Sequence, residues 1–97
     1  MVARYYQAIV AQNYSLAFTY IDADATGPNG QKLTLPALLQ LAHTFDSEEG
    51  PVTDFSVTAS PSMIVMTVDR KEGGRYHAHL RVKQDGDSWK IISIDRI

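Results

Sequence analysis

The chain has 97 residues, 44% hydrophobic and 21% charged, which suits one globular domain over 1–97 and leaves no room for a second core. Its net charge of −2 gives no electrostatic drive for nonspecific nucleic-acid binding, so no nucleic acid is expected as a partner. The absence of cysteine excludes disulfides, thiolate nucleophiles and cysteine-based zinc sites together.

Val2, Tyr5, Tyr6, Ile9 and Val10 recur at i, i+3, i+4, i+7 and i+8, the apolar face of a first helix. Asn13 is a natural cap for a second helix. Tyr14, Ala17, Phe18 and Ile21 repeat the helical spacing there, with Asp22 and Asp24 at its end. Residues 1–10 lack the basic start and clean apolar core of a signal peptide. Residues 5–21 are uncharged but short and interrupted by Gln7, Gln12, Asn13, Ser15 and Thr19, so they are expected to be buried helix and not a membrane span.

Gly27, Pro28, Asn29 and Gly30 mark a loop. Thr34 then caps a third helix with Pro36 in its first turn, and Leu35, Leu38, Leu39, Ala42 and Phe45 form its apolar face. Gly50 and Pro51 stop it.

From residue 54 the apolar period changes from 3.6 to 2. Phe55, Val57 and Ala59 share one face of a first strand, and Ile64, Met66 and Val68 one face of a second. Tyr76, Ala78, Leu80 and Val82 line a third, and "DSWKIISIDRI" closes the chain. The breaks at 60–62, "KEGG" and "QDGD" are short, so four strands are expected in an antiparallel meander. Helices first and strands afterwards give an α+β fold, three helices packed on one face of a strongly curved sheet.

The tyrosine-rich opening "VARYYQAIVAQNYSLAFTYI", with its polar "QN" joint, and the closing strand that opens "DGDSWKI" carry a resemblance. In this order of elements the chain resembles the nuclear transport factor 2-like superfamily, the cystatin-like, cone-shaped fold shared with ketosteroid isomerases and polyketide cyclases. It is most similar to the short bacterial members. The resemblance implies a bent sheet around helices with a pocket between them. It also implies pairing of two chains through the outer sheet face and an extracytoplasmic location, secreted or lipid-anchored. The chain is shorter than the catalytic members.

Tyr6, Tyr14, Phe18, Phe55, Met66, Tyr76 and Leu80 are the candidate lining of such a pocket, which suits an apolar ligand. The competing expectation is a filled core with the tyrosine hydroxyls at its rim. Isomerase-type chemistry needs a cavity-facing carboxylate, and Asp95 on the last strand is the nearest candidate. No phosphate-binding or dinucleotide-binding glycine motif and no nucleophile elbow occurs, so no cofactor is expected.

Met63, Val65, His77, His79 and Arg81 fall on the opposite parity and are the expected homodimer face. The alternative is a bulge that shifts the parity of a strand apolar on both sides. His77 and His79 have the two-residue spacing of a chelating pair. Arg75, Arg81 and Lys83 beside them oppose a cation, so no metal is expected. The leading functional expectation is a non-enzymatic accessory or sensor-like domain that binds an apolar small ligand or a protein partner. The alternatives are a small isomerase, lyase or cyclase, and a dimerisation module of a tethered protein.

Overall fold

A computed structural model describes residues 1–59 and 63–97. The turn expected at 60–62 lies outside the described residues, as does the side chain of Ala59. The elements are α1 (Val2–Val10), α2 (Tyr14–Phe18), β1 (Ile21–Thr26), α3 (Leu35–Glu49), β2 (Val52–Ala59), β3 (Ile64–Arg70), β4 (Gly74–Asp85) and β5 (Ser88–Ile94). The α+β class and the helices packed on one curved, unclosed sheet are as expected.

Among the described residues the sheet has five strands, not four, in the order β1-β5-β4-β3-β2. β2 to β5 form the expected antiparallel meander. The added strand is "IDADAT", which pairs parallel to β5 through Ile21↔Ile91 and Thr26↔Ser93. It includes Ile21, Asp22 and Asp24, which the helical spacing assigns to the second helix. That helix ends at Phe18, where Thr19 and Tyr20 close it with bonds to the carbonyls of Leu16 and Ala17. Ile21 and Ala25 are then buried against β5, and burial overrides the poor strand propensity of Asp and Ala.

The joint between α1 and α2 turns on Gln12, whose φ of 57° is left-handed, and Asn13 caps α2 by accepting from the Leu16 N–H at 3.2 Å. Within α1, Val10 is exposed and Ala8 takes the buried position. Thr34 caps α3 through the Ala37 N–H at 3.2 Å. Gly50 ends α3 with φ +76°, a conformation that a side chain makes costly, and a Cβ there would also collide with Glu72. The β3–β4 turn is latched to this helix end by the N–H groups of Glu72 and Gly73, both donating to the Glu49 carbonyl.

The core lies between α1, α3 and the inner sheet face, where Tyr5, Tyr6, Leu38, Met66, Val68, Ala78, Leu80 and Ile91 are essentially inaccessible. The parity conflict on β5 resolves as a bulge. Leu80 pairs with Ile94 and Val82 with Ile91, so the register shifts between Arg81 and Val82. Ile91 and Ile94 are both buried despite their opposite parity, and Trp89 is exposed.

Candidate functional site

Of the seven expected pocket residues, Tyr6, Met66 and Leu80 are fully buried, and Tyr14 and Tyr76 nearly so. Phe18 and Phe55 are partly buried against the same core. The Tyr6 ring packs on Tyr5 at 5.0 Å, edge to face, and on Phe55 at 5.6 Å. None of the seven lines the grooves beside Arg81, Trp89 or Leu16.

Beside this aromatic cluster sits a polar network. Arg70 is the fourth inward position of β3, on the parity of Ile64, Met66 and Val68, and its side chain is 1% exposed. Its guanidinium donates to Asp46 Oδ1 (2.8 Å), the Gly50 carbonyl (2.8 Å) and the Ile97 backbone oxygen (2.9 Å). It also lies 5.7 Å from the Phe45 ring and 5.9 Å from the Tyr76 ring. Burial opposes its charge, but the Asp46 carboxylate and the Tyr76 hydroxyl outweigh that and hold it protonated.

The Tyr14 hydroxyl donates to Asp46 Oδ2, and the Tyr76 hydroxyl to the Ile97 oxygen. Burial raises the pKa of Tyr5, Tyr6, Tyr14 and Tyr76, with the Asp46 bond adding to it at Tyr14. The buried hydroxyls of Tyr5 and Tyr6, with Arg70 Nε, have no hydrogen-bond partner among the described residues.

Sequence periodicity contains signals for this network. Arg70 keeps the inward parity of β3, and Asp46 falls four residues after Ala42 on the apolar face of α3. Both residues look like end-of-element charges when taken one at a time. Asp46 is the interior carboxylate beside a tyrosine hydroxyl that isomerase chemistry asks for. Both its oxygens are already engaged, one by Arg70 and one by Tyr14.

Asp95 lies on the other side of the sheet, exposed. Its two oxygens accept from the His79 backbone N–H (2.7 Å) and from His79 Nδ1 (2.8 Å). The outward row of β4 is largely matched in charge: Arg75 pairs with Asp69 at 2.8 Å and Lys83 with Asp22 at 3.0 Å. His77 Nδ1 lies 3.3 Å from the Thr67 hydroxyl. Val65 is half-buried on this face, and His43 is exposed on α3. Among the described residues no three His, Asp or Glu side chains gather as metal ligands.

The inner sheet face extends past the start of α1. There Val57 (β2), Ile64 (β3), Val82 (β4) and Trp89 (β5) meet Met1, Val2 and Ala3 around an open groove of about 430 Å³. All seven side chains are apolar or aromatic, and Val57 and Trp89 are 55% and 48% exposed. A second groove, also about 430 Å³, crosses the outer face between the Gly27–Pro28 loop, Met63, Arg81, Ser93 and the His79–Asp95 pair.

The fold and these sites define a cystatin-like α+β domain with an apolar groove at one end of its sheet. In structure, the chain is similar to Bd1075 of Bdellovibrio bacteriovorus (TM-score 0.65, 12% identity), covering 96% of this chain and 37% of that one. It is also similar to a protein of unknown function with a cystatin-like fold from Nostoc punctiforme (TM-score 0.59, 15% identity), covering 96% of this chain and 81% of that one. The chain thus spans just over a third of the length of Bd1075. No family model and no curated protein sequence matches it. Among the described residues no helix is long and apolar enough to cross a membrane.

Proposed function

We propose that this domain is a binding module and not a catalyst, and that it takes an apolar ligand in the groove under the start of α1. The observation that carries this reading is the groove's lining. Four strands and one helix contribute only apolar side chains to it, and its largest, Trp89, is left half in solvent. A groove of about 430 Å³ is in the range that small-molecule sites occupy, about 300–1,000 Å³. The aromatic interior serves as core, because Tyr6, Met66 and Leu80 are sealed by their neighbours. The isomerase alternative is less favoured, since Asp46 is bound by Arg70 and Tyr14 and Asp95 faces outward with His79. Pairing of two chains through Met63, Val65, His77, His79 and Arg81 is a separate proposal about the outer face. A mass that rises with concentration in light scattering supports it.

Trp89 is the single tryptophan, and it also lines a neighbouring groove with Arg4, Tyr20 and Lys90, so its fluorescence reports on both and the Val57 variant separates them. Titration with an apolar probe such as anilinonaphthalene sulfonate or a medium-chain fatty acid is expected to blue-shift its emission. Val57→Asp places a charge on an exposed groove wall and is expected to weaken binding about 10-fold or more, equivalent to about 1.4 kcal/mol. Trp89 emission that does not respond to either probe, or undiminished affinity in V57D, refutes the assignment.

A further inference from the structure

The outer face carries three cationic side chains on alternate positions of β4, and they are not equivalent. Arg75 is matched by Asp69, and Lys83 by Asp22. Arg81, which lines the outer groove, has no acid partner among the described residues. Asp95 lines the same groove and would be the obvious candidate. It is held instead by His79 at three points: its N–H donates to the His79 carbonyl (3.2 Å), and its two oxygens take the His79 N–H and Nδ1–H. A carboxylate only accepts hydrogen bonds, so Nδ1 carries the proton and Nε2 is the ring nitrogen left for other contacts. Among the described residues that line the groove, Asp95 is the acid, and it is engaged by His79 and not by the Arg81 guanidinium.

We propose that this groove is a binding site for a small oxyanion that also carries a hydroxyl, of the hydrogen-phosphate or hydroxycarboxylate kind. Arg81 anchors the anionic oxygens with its planar fork. His79 Nε2 meets the second group in either charge state, accepting from the ligand O–H when neutral and donating to an anionic oxygen when protonated. Asp95 is a positioning residue that fixes the tautomer and ring plane. Gly27, Pro28, Met63, Ser93 and Ile94 complete the lining. The charges that face it are Arg81 and Asp95, with Lys83, held by Asp22, further along β4. This site is separate from the apolar groove and does not depend on the function assigned there.

The test is an NMR titration of the whole chain that follows the His79 imidazole and Arg81 Nε resonances. The probes are inorganic phosphate, lactate and acetate, with chloride as the ionic-strength control. Saturable shifts at His79 and Arg81 are expected with phosphate or lactate. Lactate should bind more tightly than acetate, because only lactate offers Nε2 a hydroxyl. Arg81→Gln is expected to weaken binding 10-fold or more, and His79→Gln to abolish the preference for lactate over acetate. Phosphate above lactate assigns a phosphate ligand, and the reverse a hydroxycarboxylate. Identical shifts with chloride, equal affinity for lactate and acetate, or unchanged binding in R81Q overturns the proposal.

Discussion

Replacing Arg70 with Met removes the centre of the buried polar network while keeping most of the side chain's volume. Three acceptors lose a donor at once: Asp46 Oδ1, the Gly50 carbonyl and the Ile97 oxygen, of which the last keeps the Tyr76 hydroxyl. Breaking a buried ion pair from one side costs about 3–5 kcal/mol, because the remaining charge stays desolvated. Asp46 is 16% exposed and keeps the Tyr14 hydroxyl, so the lower end, about 3 kcal/mol, applies here. For a domain of this size that corresponds to a fall in Tm of about 12–24 °C, at about 4–8 °C per kcal/mol. It is also a large part of a total stability of about 5–15 kcal/mol. Urea denaturation measures the loss as a shift in midpoint at constant m-value. The double variant Arg70→Met with Asp46→Leu removes both charges and is expected to recover part of the loss, since no carboxylate is then left buried without its partner. In that variant the Ile97 oxygen keeps the Tyr76 hydroxyl, but the Gly50 carbonyl has lost its Arg70 donor, so recovery is incomplete. An Arg70→Met variant within about 1 kcal/mol of the wild type, or strictly additive losses in the double variant, refutes the reasoning.

Two pH effects follow from the shifted groups. Burial raises the pKa of Tyr5, Tyr6, Tyr14 and Tyr76 above the ordinary tyrosine value of 10.0, so above that pH the unfolded chain sheds protons that the native state keeps. Stability is therefore complete below pH 10 and is expected to fall above it, by up to about 1.4 kcal/mol per pH unit for each tyrosine, with tyrosinate absorbance appearing together with unfolding. In a Tyr20→Phe variant, where only these four tyrosines remain, tyrosinate that forms before the fold is lost contradicts this. At the acid end, the Asp24 N–H and then Lys83 hold Asp22 below the ordinary carboxylate value of 3.8, and Arg75 does the same for Asp69. Their contribution is present above that value and is lost as pH falls through their lowered values. The urea midpoint should accordingly be less sensitive to acid in a variant carrying Asp22→Asn and Asp69→Asn, and an unaltered acid limb contradicts the assignment.

Local chemistry made much of the fold legible. The Thr34 cap, the Gly50 stop and the alternation of Tyr76, Ala78 and Leu80 are short-range signals, and each is realised in the structure. Arg70 and Asp46 were legible in a weaker sense. Neither is singled out by the sequence; each continues an inward parity, but a charge at the end of an element reads as solvated until its partner is known. Their partnership joins residues 24 positions apart.

The sequence by itself determined the α+β class, the antiparallel run of β2 to β5 and the inward set of β3 and β4, because helical and strand periods are written in neighbours a few residues apart; the helices-first order failed at β1, which precedes α3. Only the tertiary structure decided the rest. It made a strand of the Asp- and Ala-rich segment at Ile21–Thr26, because β5 offered an edge that local propensity does not record. It shifted β5 by a bulge, which buried both Ile91 and Ile94 and left Trp89 in the apolar groove. It also brought Asp95 to His79, where sheet register and not sequence spacing set the contact. Register and curvature are properties of how strands meet, so no single strand's sequence carries them.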